Sequence, residues 1–402
     1  MTVLPIVLGA LVAFSIGLVL VMRLSQRAFL AAPPPPEPSE WPPVSVLKPL
    51  KGVDADLEDN LRSLFKQDYP AYEVILGTED DDDPALPVAQ RVAAEHPHVR
   101  SIVISSARSV GLNPKINNLA NLARRARHPL LLISDSNIRV RPGYLRDLVA
   151  HRVRTGAGLV WSLFRGTGER GAGAVLEALQ LNAFVMGGVC ALTKLLRIPC
   201  AVGKSMLIHK EDLEWIGGFP FLGRFLAEDQ VCAEELASRG RPVVVSPHII
   251  DNVLGRRSLR DFASRHLRWA RLRRHVNLAG YLGEALLNPV FLALGSALLL
   301  RSAESWAVAG AVLATTALLD AAAERALGVR RPIFLYPVLE LALSLARGIF
   351  WFVPLFSRTL VWRSNLIRIG PRSLIEIKEK AEASLEPEPI MDTRERHVPL
   401  GG

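Results

Sequence analysis

Five adjacent carboxylates, Glu79, Asp80, Asp81, Asp82 and Asp83, stand directly before Pro84. Like charges packed this closely repel, so the segment needs a helix amino terminus, a cation or hydrogen-bonding ligand groups to hold it. Proline suits the first helical position, which makes Asp83 an N-cap. Asp135, Ser136 and Asn137 follow the apolar run 130–134. A carboxylate leaving a buried strand, beside short oxygen-bearing side chains, suits a hard divalent cation that bridges a diphosphate; the same residue types also cap turns and helices. Glu228 and Asp229 precede the helical pattern 231–238. There a carboxylate is either a cap or, if it shares a cleft with the first two groups, a general base. The fourth group is Arg265, His266, Leu267, Arg268 and Trp269, followed by Arg271, Arg273 and Arg274. On a helix, Arg268 and Trp269 point together: a guanidinium fork matches phosphate oxygens and an indole offers a flat wall. The remaining arginines face lipid headgroups, as in any basic helix beside a membrane.

These groups need a scaffold that brings distant stretches together. Residues 44–252 alternate short β-rich runs (44–47, 74–77, 102–104, 130–134) with helical stretches (57–65, 84–95, 115–126, 142–151). Such alternation implies right-handed crossovers and a mainly parallel sheet covered on both faces, with ligands at the carboxyl ends of the strands. The loops after residues 77, 104 and 134 are therefore where chemistry is expected.

The rest of the chain is apolar in blocks. Of 402 residues, 50% are hydrophobic and 22% charged, which excludes a disordered tail, a collagen-like fibre and a disulfide-stapled miniprotein. Residues 3–22 carry no charge and are long enough for a spanning helix, with Arg23 and Arg27 after them; the cations place the amino terminus outside and the next domain on the cytoplasmic face. The prolines between 33 and 43 make a stiff spacer. Further apolar blocks lie at 285–300, 306–319 and 333–356; the first two read as a hairpin, and Arg358, Arg363, Arg368 and Arg372 favour two spans here over three. The expected organisation is a transmembrane helix (1–23), a Pro-rich linker (24–43), a catalytic domain (44–280), membrane helices (281–365) and a polar tail (366–402). The net charge of +9 is thus matched to a membrane face rather than to nucleic acid, because no zinc-finger spacing or aromatic RNA-binding motif accompanies it. Three cysteines without a CxxC pair point to a reducing compartment.

In order and spacing, Asp83, Asp135, Asp229 and the RHLRW of residues 265–269 resemble the D, D, D, (Q/R)xxRW signature of family 2 and family 21 inverting glycosyltransferases. LKPLKGV (47–53), DYP (68–70), DDPA (82–85), GLNPKINNL (111–119), DSNIRV (135–140) and AED (227–229) look like ceramide glucosyltransferases and their bacterial relatives, including hopanoid-associated enzymes. The resemblance implies an α/β GT-A nucleotide-diphospho-sugar transferase domain joined to transmembrane or interfacial helices. It implies hexosyl transfer from a UDP-sugar to a membrane lipid, in a bacterial inner membrane. N-acetylglucosaminyl or other hexosyl transfer to a hopanoid or diacylglycerol is the alternative, with a processive polysaccharide synthase behind it. Residue by residue, Asp83 would meet the uridine, and Lys48 and Lys115 the phosphates or sugar. Asp135 would bind Mg2+ or Mn2+, and Asp229 would take the acceptor proton. Arg265, Arg268 and Trp269 would hold the diphosphate and wall the acceptor opening. Asn137 stands where wider family 2 relatives have a second aspartate, leaving Asp135 as the one ligand from that motif.

Overall fold

The computed structural model describes residues 3–356, 359–362 and 365–377. The expected polar tail from residue 378 onward lies outside the described residues.

Eight strands form one sheet: β1 (Val44–Pro49), β2 (Tyr72–Thr78), β3 (Ser101–Ser105), β4 (Leu130–Ser134), β5 (Ile138–Arg139), β6 (Leu159–Arg170), β7 (Ser205–His209) and β8 (Val243–Arg256), in the spatial order β3-β2-β1-β4-β7-β6-β8-β5. The first four run parallel, and their central residues Val46, Ile75 and Leu132 are fully buried because helices cover both faces. β6 and β8 run the same way, while β7 and β5 are reversed. The mainly parallel sheet expected from the alternation is therefore interrupted by antiparallel β7. The reason lies in the long excursion between β6 and β7, the helical stretch Ala172–Leu196, which replaces a simple crossover.

The amino-terminal helix runs Val3–Leu30, so it extends past the expected boundary and takes in the first part of the expected linker. Arg23 accordingly does not face headgroups: it is buried against Asp320, Nη2 to Oδ1 2.5 Å. Among the described residues four helices are long and apolar enough to cross a membrane: Val3–Leu30, Ala172–Leu196, Ala303–Ala326 and Ile333–Phe356. A fifth candidate is the pair Leu278–Leu287 and Pro289–Leu300, bent by 67° where Asn288 caps the second helix. Pro289–Leu300 and Ala303–Ala326, the second capped at Ser302, are the helices of the stretch expected as a hairpin, and Ile333–Phe356 after them also has the length and apolarity of a span. Ala172–Leu196 is broken by π-helical turns at Gln180–Val185 and Leu192–Leu196. At the far end, Asn365–Ile369 and Ile375–Ile377 pair as antiparallel strands. Ser373 and Ile375 bond the backbone of residues 224–227, the approach to Glu228.

Candidate active site

Antiparallel pairing sets the centre of the site. β4 ends at Ser134 opposite Ser205, the first residue of β7, so Asp135 and Lys204 continue the ladder as neighbours: the Asp135 amide donates to the Lys204 carbonyl at 3.0 Å. Lys204 Nζ lies 3.2 Å from Asp135 Oδ2. The other oxygen, Oδ1, is 2.9 Å from Lys115 Nζ. Lys115 opens the helix Pro114–Ala123, capped by Asn113. Its ammonium also lies 3.0 Å from Glu228 Oε1 and 3.2 Å from the Gly203 carbonyl. Asn113 donates to Glu228 Oε2 at 3.3 Å. One lysine thus ties the end of β4 to the start of the helix Glu228–Ser238.

The two carboxylates at that helix start have different environments. Glu228 is 7% exposed, and burial, with Asp229 adding to it, holds its carboxyl above the usual range although Lys115 pulls the other way. Asp229 is half-buried. Its Oδ2 accepts from the Gly203 amide at 2.5 Å and its Oδ1 from the Gln230 amide at 2.8 Å. Backbone donors fix its direction while leaving lone pairs for a ligand proton. Burial works against ionisation of Asp135, but Lys115 and then Lys204 outweigh it and hold this carboxyl below the usual range.

Lys48, at the end of β1, is fully buried and donates to the Ile138 carbonyl at 2.9 Å. Burial brings its ammonium down to about 7 even though Asp135 and Asp54 pull upward. Asp83 lies apart from this centre, in the floor of the loops after β1 and β2. It accepts from the Gly52 amide at 2.9 Å and caps Ala85, also at 2.9 Å, as expected of a residue before Pro84. Lys51 stands 3.9 Å away.

The basic helix Leu259–Val276 starts at a reciprocal cap between Ser258 and Asp261. Arg265 lies 3.2 Å from the buried Glu177 and 5.1 Å from the centre of the Trp269 ring. Arg257 takes the other Glu177 oxygen at 3.3 Å. Arg268 is half-buried, and burial, reinforced by the charge of Arg265, lowers its guanidinium from the ordinary value. With Glu177 already shared by two arginines, Arg268 has no carboxylate paired to it among the described residues and is open to an incoming anion. Lys204 also feels Arg265, which links the two cationic groups. The structure therefore brings together Asp135, Asp229, Lys115, Lys48 and the RHLRW helix. Sequence reasoning missed Lys204, Glu177 and Arg257; Lys204 was legible only through the register of β7.

The Mg2+ or Mn2+ expected at Asp135 would meet a carboxylate that two lysines already approach. Both Asp135 oxygens face ammonium groups, and among the described residues no group of three or more His, Cys, Asp or Glu side chains is disposed to hold a metal. Such an ion at a nucleotide site takes one or two carboxylates together with the phosphate oxygens of the ligand, so Asp135 would hold it jointly with a bound diphosphate, where it would offset the charge of the departing phosphate.

A family model for Glycosyl transferase family 21 matches residues 5–375. The chain belongs to this family. Its curated relatives include ceramide glucosyltransferase 3 of Caenorhabditis elegans, 30% identical over 273 residues, covering 68% of this chain and 59% of that protein. The ceramide glucosyltransferase of Komagataella phaffii is 26% identical over 321 residues, covering 66% and 62%. This family 21 chain thus spans about three fifths of the length of the curated relatives it matches. Its fold is similar to that of a mannosyltransferase from Pyrobaculum calidifontis, solved in complex with GDP-Man and Mn2+, at TM-score 0.50 and 20% identity over 86% of this chain and 98% of that one. GT-A architecture is thereby established for this family 21 chain.

Proposed function

We propose that the protein transfers a hexose from a UDP-sugar to the hydroxyl of a membrane lipid by single displacement with inversion, on the cytoplasmic face of a bacterial inner membrane. The observation that carries this reading is the half-buried Asp229, aimed by two backbone amides beside a cluster of cations at the strand ends. In the reaction Asp229 takes the proton of the acceptor hydroxyl as that oxygen attacks the anomeric carbon. The bond from that carbon to the phosphate oxygen breaks, and UDP departs with the electron pair. Lys115, Lys204 and Arg268 meet the charge that grows on the diphosphate, a stabilisation larger in the transition state than in the bound substrate. One carboxylate opposite the leaving group suffices, because no glycosyl-enzyme intermediate has to form. Asp83 and the loop after β1 are offered to the uridine. The ceramide glucosyltransferase names of the relatives support a lipid acceptor, and the long apolar helices packed beside the basic helix support its delivery from the bilayer.

The test uses purified full-length protein in nanodiscs with UDP-glucose, UDP-galactose or UDP-N-acetylglucosamine and ceramide, diacylglycerol or a hopanoid. The expected result is acceptor-dependent UDP release and a singly glycosylated lipid by mass spectrometry, with the anomer opposite to that of the donor by NMR. Absence of product from every pair, or a retained anomer, overturns the reading.

A further inference from the structure

A cavity of about 150 Å³ lies away from the carboxylate cluster, where the basic helix, the stretch Ala172–Leu196, the bend near Glu284 and the helix Tyr336–Phe356 meet. This is the size of cavities that admit a benzene-sized group. Phe184, Phe291, Phe350 and Trp351 supply its apolar wall. Its polar lining is unusual. Gln180 and His266 are 3% and 5% exposed, yet among the described residues Gln180 Oε1 and His266 Nε2 have no hydrogen-bond partner. Arg347 also lines the cavity, and its Nε has no partner among the described residues. Buried polar atoms without partners are costly, so such a group in a cavity points to a ligand that completes it. Gln180 begins the π-helical turn, a backbone irregularity that often marks functional sites.

The charges in the lining narrow the ligand. Arg273 is paired with Glu284 at 2.6 Å, and Arg347 with Glu340 at 3.1 Å. Burial, and then the charges of Arg273 and Arg265, push the His266 imidazole down to about 3, so it is neutral. An anionic group would have to break an existing ion pair to be neutralised here, whereas hydroxyl and amide groups meet the open acceptor and donor atoms directly. His266 packs on Trp269, ring centres 4.9 Å apart, and Trp269 in turn packs on Arg265. The cavity is therefore one aromatic ring away from the cationic cluster.

We propose that this cavity seats the non-reacting polar groups of the acceptor lipid, an uncharged lipid whose groups beside the reacting hydroxyl complete Gln180, His266 and Arg347 while that hydroxyl reaches past Trp269 to Asp229. The inference rests on the transfer reaction proposed above and adds where the acceptor is recognised and why it is uncharged. Trp269 then separates acceptor recognition from the diphosphate.

The experiment measures binding of a short-chain fluorescent ceramide to full-length protein in nanodiscs, with diacylglycerol and phosphatidylglycerol as competitors, and the acceptor KM for transfer. Gln180→Leu removes the open acceptor and Ala285→Phe fills the cavity from another element. Each should weaken ceramide binding and raise its KM about tenfold, with UDP affinity by titration unchanged, which also reports folding. Diacylglycerol should displace the probe and phosphatidylglycerol should not. Unchanged ceramide affinity in both variants, or equal competition by phosphatidylglycerol, overturns the cavity assignment while leaving sugar transfer standing. Ceramide binding that depends on Gln180 without any sugar transfer supports the cavity and overturns the reaction instead.

Discussion

At the scale of single residues, Lys115 and Asp229 divide the work between charge and proton. The Lys115 ammonium holds Asp135 and Glu228 within about a hydrogen bond's length, whereas Asp229 is oriented by the amides of Gly203 and Gln230. Asp229→Asn keeps the shape and an acceptor for one amide but cannot take a proton. Transfer should fall about 10²–10⁴-fold while UDP-sugar affinity, measured by calorimetry, stays nearly constant. Loss of nucleotide binding in that variant would remove Asp229 from the base role. Lys48 supplies a pH signature. Its ammonium is at about 7 in the folded protein against 10.5 when free of burial, so between those values the unfolded chain binds the extra proton. Stability should therefore rise with pH across that window and be lowest below it. Lys48→Met should flatten this rise, read as the difference in Tm between variant and parent across the same pH range; identical slopes would show that Lys48 keeps its proton when folded.

Elements explain which parts of the site the amino-acid pattern revealed. Asp135 was legible because the run 130–134 is apolar enough to be a buried strand, and a polar residue that follows it sits at the strand's exit. Asp83 was legible as a cap for the same local reason. Lys204 was not, since its place beside Asp135 depends on β7 running antiparallel to β4, a long-range pairing with no local signature. The partners of Glu177 were hidden likewise: two arginines reach it from residues 80 and 88 positions along the chain, after the β6 to β8 excursion. Gly111 shows how tightly these elements approach. A Cβ there would stand 2.8 Å from the Gly223 carbonyl, a backbone contact that no rotamer change relieves. The Asn113 amide bonds the same Gly223 carbonyl at 2.9 Å, and Asn113 caps the helix that carries Lys115. Gly111→Ala should cost about 1–3 kcal/mol by strain of this kind. It should also reduce kcat, because Lys115 and Glu228 are pushed apart. A thermal melt and initial rates check both effects, and an unchanged Tm would mean that the two loops slide freely.

For the whole molecule, the membrane helices and the sheet are joined by buried charge rather than by apolar contact alone. Arg23 of the first helix lies 2.5 Å from Asp320 in the hairpin and donates to the Ala183 carbonyl at 2.6 Å, in the stretch that leads on to the active site. Glu324 extends the tie: it accepts from Asn182 at 2.8 Å and from Tyr336 at 2.9 Å, and Asn182 Oδ1 accepts the Gly166 amide of β6 at 2.7 Å. The apolar runs made these helices visible in the sequence, but the pairing of Arg23 with a residue 297 positions away has no sequence signature. The consequence is asymmetric. Removing one partner leaves a buried charge without compensation, so Asp320→Leu or Arg23→Met alone should destabilise the protein by about 3–5 kcal/mol and lower its yield from membranes. Replacing both with apolar residues removes the uncompensated charge and should recover most of the loss, apart from the bond to Ala183. The measurement is a double-mutant cycle of thermal unfolding in one detergent, with UDP affinity followed in parallel. Strictly additive losses would mean that Arg23 and Asp320 do not hold the first helix to the hairpin; a large favourable coupling, with UDP affinity recovering alongside Tm, would show that the same pair also sets the position of the stretch that feeds the sheet.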